Sequence, residues 1–159
     1  MSNKQLTMSN EDKTDLIEIQ ILEKIRKLLT ERVNEILEQR QFLMPLFELS
    51  EFKGRLAVVP VIALTNCERT EKERIIQQDV YSMTVNFSVP ETSESELYCY
   101  AYSSAVCRAI GENSTLGGIV DRIAIIGKKV LPPKKLNCGM DWEVVISLRV
   151  TVETMNSEQ

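Results

Sequence analysis

The stretch Asp79-Val80-Tyr81-Ser82-Met83-Thr84-Val85-Asn86-Phe87-Ser88-Val89 decides the fold. Tyr81, Met83, Val85, Phe87 and Val89 alternate with Ser82, Thr84, Asn86 and Ser88. An extended chain with this period carries one apolar face and one small, polar face. The pattern recurs near the C-terminus, where Trp142, Val144, Ile146, Leu148, Val150 and Val152 alternate with Asp141, Glu143, Val145, Ser147, Arg149, Thr151 and Glu153. Only Val145 interrupts the polar side. Two long strands, each with one solvated face, predict an antiparallel sheet covered on one side by helices.

The segment between these strands supplies one cover. A helix is predicted from about Glu91 to Gly111, with Glu91, Glu94 and Glu96 near its positive end. Thr92 with Ser95, or Ser93 with Glu96, would cap its start, and Gly111 would cap its end. Its face includes Tyr98, Ala101, Tyr102, Ala105 and Ala109, whose alanines let a helix approach a sheet closely. A second, longer helix is predicted from about Glu11 or Thr14 to Arg40, with the stripe Leu22, Ile25, Leu29, Val33 and Ile36 widened by Leu28 and Leu37. Its start is open to another reading, because Ile17, Ile19 and Ile21 alternate as a strand would. A helix of this length can also present part of its stripe to a neighbouring subunit.

Pro45 ends helical continuation, and Phe42 to Leu49 reads as extended. After a turn at Glu51-Phe52-Lys53-Gly54, Arg55 to Thr65 reads as a strongly apolar strand that Pro60 places at an edge or a bulge. Asn66 to Gln78, with charges that cancel, reads as a solvated loop or short helix. A third strand is expected over Ile119 to Val130, and Pro132 to Gly139 would connect it to the last. The expected architecture is α+β, an antiparallel sheet of about four strands with two helices packed on one face. It occupies residues 14–153, between a flexible segment at 1–13 and a tail at 154–159.

Composition narrows the function classes. A length of 159 residues fits one domain, and a net charge of −4 with pI near 5.1 argues against a general nucleic-acid binder. The N-terminus lacks the apolar core of a signal peptide. The longest apolar run, Leu56 to Leu64, is nine residues. That is far short of the roughly 20 that span a bilayer. No membrane association is expected, and the chain should be made and kept in the cytoplasm.

The absence of histidine removes His-assisted nucleophilic catalysis, imidazole proton transfer and His-containing zinc sites. Cys67, Cys99, Cys107 and Cys138 contain no C-x-x-C pair. Cys99 and Cys107, eight apart on a helix, would lie about 12 Å apart along its axis, too far for a disulfide. Reduced, structural thiols are the expectation. Gly127-Lys128-Lys129 is no phosphate-binding loop, because Arg122 stands where the first glycine belongs and Lys129 replaces Ser or Thr. No catalytic constellation, metal set or cofactor motif is present in the sequence, so neither an enzyme nor a cofactor is expected.

Two surfaces stand out. Lys128, Lys129, Lys134 and Lys135 occur with no acid between Gly127 and Leu136, as either a solubilising tip or a contact for phosphate or an acidic neighbour. Leu56, Val58, Pro60 and Ile62 in the apolar edge strand, with Arg69, Glu71 and Arg74 in the charged loop, are candidate subunit contacts.

The element order, together with Leu64-Thr65-Asn66-Cys67-Glu68-Arg69-Thr70-Glu71-Lys72-Glu73, Val89-Pro90-Glu91-Thr92 through Glu96-Leu97-Tyr98-Cys99-Tyr100-Ala101, Thr115-Leu116-Gly117-Gly118 and Pro132-Pro133-Lys134-Lys135-Leu136-Asn137-Cys138-Gly139, resembles small prophage proteins. The family resembled is that of the tail-terminator (tail-completion) proteins of long-tailed bacteriophages, over roughly residues 14–153. The resemblance implies a structural protein without enzymatic activity or cofactor. Members form rings, typically hexameric, that stop tail-tube polymerisation and provide the surface joining the head. Implied partners are further copies of the chain, tail-tube and head–tail connector proteins, and passing DNA without sequence recognition. The implied place is the virion tail or neck, after assembly in the host cytoplasm. The family has no short signature of functional residues, so no site is carried over. A head-completion or connector protein is the alternative within the virion. A cytoplasmic small-molecule-binding domain or enzyme, using the groove between sheet and helix, is the alternative outside it.

Overall fold

The two alternating stretches pair with each other along their whole length. In the computed structural model, which describes residues 16–41, 46–47, 57–133 and 141–155, the elements are α1 (Ile17–Gln39), β1 (Leu46–Phe47), β2 (Ala57–Val58), β3 (Val61–Glu73), β4 (Ile76–Pro90), α2 (Ser95–Glu112), a short 3-10 turn (Leu116–Gly118), β5 (Arg122–Leu131) and β6 (Asp141–Met155). The antiparallel ladder between β4 and β6 runs without a break from Ile76 opposite Met155 to Pro90 opposite Asp141. Its register sets Tyr81 against Val150, Met83 against Leu148, Val85 against Ile146 and Phe87 against Val144, so both apolar sets share one sheet face. Those eight side chains are all buried.

The full sheet has the order β3-β4-β6-β5, with every neighbouring pair antiparallel. The fold is therefore α+β, an antiparallel four-stranded sheet with two helices. β1 and β2 form a separate two-stranded parallel pair. The Asn34 side chain of α1 bonds both backbone groups of Phe47, accepting from its N–H at 2.8 Å and donating to its carbonyl at 2.9 Å. Phe47 itself is buried against Phe87 and Tyr102, with ring centroids 5.3 and 5.7 Å away.

α1 begins helically at Ile17, so the alternation of Ile17, Ile19 and Ile21 does not make a strand. The buried set Ile21, Ile25, Leu29, Val33, Ile36 and Leu37 explains why. Its spacing of four, four, four and three, with Ile36 and Leu37 adjacent, fits one helical stripe, and the even-numbered Ile36 would fall on the opposite face of an extended chain. Leu22 and Leu28, expected within the stripe, are only partly buried at its margins.

At the start of α2 the Thr92–Ser95 pair, not Ser93 with Glu96, holds the turn. The Thr92 backbone N–H donates to Ser95 Oγ, and that hydroxyl donates to the Pro90 carbonyl at 2.8 Å. Glu96 instead accepts the Tyr100 hydroxyl at 2.9 Å. Gly111 lies within the helix and not at its cap. The helix ends at Asn113, whose side-chain amide donates to the Ala109 carbonyl at 3.0 Å and satisfies an acceptor left open at the last turn.

The charged stretch Asn66 to Gln78 is neither loop nor helix. β3 continues through it to Glu73, turns at Arg74-Ile75 and returns as β4 from Ile76. The apolar alternation that marks a half-buried strand is missing there because, among the described residues, nothing covers either face: Thr65 to Ile75 are all exposed. Pro60 precedes β3 and lies outside it, consistent with its missing ladder donor, and β3 is an edge strand as expected. β5 starts at Arg122 and not Ile119, because Leu116, Gly117 and Gly118 take positive φ of 48°, 72° and 95° and keep the chain turning. β6 runs to Met155, two residues past the expected domain end. Residues 1–13 lie outside the described residues.

Candidate functional site

The most distinctive surface is the arm made by the far half of β3 and the start of β4. Its strands persist without an apolar face, so backbone ladders and side-chain ion pairs define it. Asp79 is the anchor: it shares the sheet face of Tyr81 and Met83 and is buried, opposite Arg69 on β3 and Val152 on β6. Arg69 binds it with two nearly parallel hydrogen bonds of 2.7 and 3.0 Å. The bonded carboxylate raises the guanidinium pKa further above its already high value, so Arg69 stays charged. On the other face Lys72 reaches across β4 to Glu153 at 2.7 Å, and the Glu153 backbone N–H donates to the Asp121 carboxylate.

The arm is tied to the helical layer through Tyr81. Its hydroxyl donates to Glu18 Oε1 of α1 at 3.1 Å. Burial, then the Glu18 carboxylate, push the phenol pKa well up from its ordinary value.

Residues predicted as subunit contacts divide by burial. Val58 and Ile62 are 1% and 8% exposed, and Pro60 is also buried, so this parity faces the chain's own core. The alternate residues Val59 and Val61, 41% and 62% exposed, carry the outward surface. Arg69 is occupied by Asp79, whereas Glu71 and Arg74 are exposed on the arm and at its turn. Leu56 lies outside the described residues.

The lysines do not form one patch. Lys128 and Lys129 belong to β5 and not to a projecting connection; Lys134 and Lys135 lie outside the described residues. Lys128 is opposite Ile146 and so shares the helix-covered face, at its rim, while Lys129 is opposite Val145 on the open face. Lys128 lies close enough to Cys107 to act on its thiol, whose pKa burial raises and the ammonium partly lowers.

No family model matches the chain, and no curated protein matches it.

The open face bears Ser82, Thr84, Asn86, Ser88, Ser147 and Thr151, and no described helix covers it. Near the start of β3 and β6 it hollows into a groove of about 530 Å³, lined among others by Val59, Val61, Asn86, Ser88, Asp141 and Glu143. Two carboxylates and several small polar groups can accept hydrogen bonds there, and among the described residues the lining holds no thiol or cation. Among the described residues no three Cys, Asp or Glu side chains group closely enough to bind a metal ion, and no helix is long and apolar enough to cross a membrane.

Sequence reading missed Asp79 as the arm's anchor. The signal was available: Asp79 is an acid on the apolar parity of an otherwise regular strand, and a buried carboxylate needs a partner. Which partner it takes depends on the β3–β4 register.

Proposed function

We propose that this chain is a structural subunit of phage or prophage assembly, a tail terminator that stops tail-tube growth and forms the surface joining the head. The reading draws its specific identity from the element order, which resembles that of the tail-terminator family; the runs Leu64–Glu73, Glu96–Ala101 and Pro132–Gly139 resemble small prophage proteins. The observation that carries an assembly role is the exposed β3–β4 arm, Asn66 to Gln78, built from strands yet exposed on both faces over Thr65 to Ile75. Strands that pack neither face against a core have little intrinsic stability in water. Here three devices hold the arm out: the Arg69–Asp79 pair, the Lys72–Glu153 pair and the ladder to β6. Effort of this kind suits a surface that meets another protein.

The experiment is deletion of the gene from its prophage, followed by electron microscopy of induced particles. Loss of a terminator should yield filled heads beside tails of abnormal, variable length. Tails of normal length that fail to join heads would assign the chain to the connector instead. Normal particles would end the virion reading.

A further inference from the structure

Among the described residues nothing pairs with the outer edges of β3 and β5, and the charges left over on them have opposite sign. On β3, Arg69 is taken by Asp79 and Lys72 by Glu153. Glu68, Glu71 and Glu73 remain exposed and make no ion pair among the described residues; Arg74, in the turn, is the one free cation beside them there. On β5, Arg122, Lys128 and Lys129 are exposed and also make no ion pair, and the strand contains no acid.

Charged residues on an edge can simply keep sheets apart. Segregating the signs by edge does something more selective. Each edge then repels its own kind, so a two-fold pairing of β3 with β3 or β5 with β5 is opposed, while β3 against β5 is favoured. Strand direction agrees with this. β3 and β5 are separated by β4 and β6 with every step antiparallel, so they run in opposite directions. A second copy displaced sideways lays its β3 antiparallel to β5 of the first and continues the same alternation. Row matching brings one opposite-charge pair level: Arg122 shares its row with Thr151, Val80 and Glu68, while Lys128 and Lys129 are level with Ile62 and Val61, and Glu71 and Glu73 lie beyond the start of the β5 ladder. An undisplaced copy thus brings its Glu68 to Arg122 of the first. Val61 on one edge and Ile126 on the other, 62% and 54% exposed, add apolar surface to the same contact.

We propose that the acidic β3 edge of one copy pairs with the basic β5 edge of the next, joining their sheets head to tail. The proposal rests on the assembly role above and names the surfaces it uses. A contact of this kind is heterologous, and it closes into a ring when the rotation between copies divides a full turn.

The test uses three variants of the full chain: Glu68→Lys/Glu71→Lys/Glu73→Lys, Arg122→Glu/Lys128→Glu/Lys129→Glu, and all six together. Oligomeric state is read by native mass spectrometry and light scattering at low salt, and folding by thermal melts. Wild type should associate, less strongly as salt rises. Each single-edge variant should be monomeric, its apparent Kd weakened roughly a hundredfold or more. Mixing the two single-edge variants should restore association in alternating order, and the sixfold variant should associate alone. If a threefold variant fails to fold, the pair Glu68→Lys and Arg122→Glu replaces it, singly and mixed, with the same expectation on a smaller scale. Wild type that stays monomeric at high micromolar concentration overturns the proposal, as does a mixture that fails to recover. Single-edge variants that associate as wild type does also overturn it but leave assembly through another surface intact, and the tail-length phenotype judges that role separately.

Discussion

Arg69 Nε donates to Asp79 Oδ1 at 2.7 Å and Nη2 to Oδ2 at 3.0 Å, joining a side chain 61% exposed to one only 8% exposed. The pair is unequal in what its loss leaves behind. Arg69→Ala strands a buried carboxylate, whereas Asp79→Ala leaves a guanidinium that water can solvate. Arg69→Ala should therefore lower the urea midpoint more than Asp79→Ala does, and Arg69→Lys should recover only part, since an ammonium cannot form the double bond. Equal effects, or the reverse order, would show that the arm does not depend on shielding this acid.

Phe87 is 3% exposed and touches Phe47 edge-on and Tyr102 at 5.8 Å between centroids, so it sits where β4, β1 and α2 meet. Phe87→Ala should cost about 3–5 kcal/mol in denaturant unfolding. Phe87→Leu should cost less than half of that, because most of the volume is kept. A loss under about 1 kcal/mol for the alanine variant would mean that the three rings do not form a packed unit.

Ser95 is buried and its hydroxyl serves both the Pro90 carbonyl and the Thr92 N–H. Removing it leaves two backbone groups at the start of α2 without this partner. Ser95→Ala should destabilise by about 1–2 kcal/mol, and Ser93→Ala, whose side chain is exposed, by much less. Thermal melts of the two variants make the comparison.

Cys99 lies in the core, and burial, then Glu96, raise its thiol pKa from 9.0 to about 11. The folded state therefore holds the neutral thiol, while the unfolded chain ionises near the ordinary value. The stability this contributes is complete below pH 9 and is lost as pH rises from there through about 11. Burial shifts the Tyr102 and Tyr81 phenols in the same direction, adding to the alkaline loss. The urea midpoint should fall between neutral pH and the alkaline window, and fall less in Cys99→Ala. Peptide mapping after mild thiol alkylation should find Cys67, which is exposed, modified before Cys107 and well before Cys99.

Much of the fold was legible in residue order. The alternations at Tyr81–Val89 and Trp142–Val152 predicted both central strands and which face each buries, because one solvated face leaves a period of two in the sequence. The α1 stripe was legible for the same kind of reason, at a period near 3.6, although its first turn was ambiguous where only isoleucines alternate.

Tertiary structure alone decided the rest. Asn66 to Gln78 became strand because β4 and β6 offered it a backbone ladder; with neither face buried, its side chains had no reason to record the strand's period. Val58 and Ile62 turned inward and Val59 and Val61 outward through a parity that an all-apolar run does not reveal. Lys128 and Lys129, adjacent in sequence, parted to opposite faces as soon as they entered β5. Arg69 met Asp79 through the register of a hairpin, which sets partners ten residues apart side by side. Patterns tied to burial are written into one chain segment at a time, while pairings between segments exist only once the strands have chosen their neighbours.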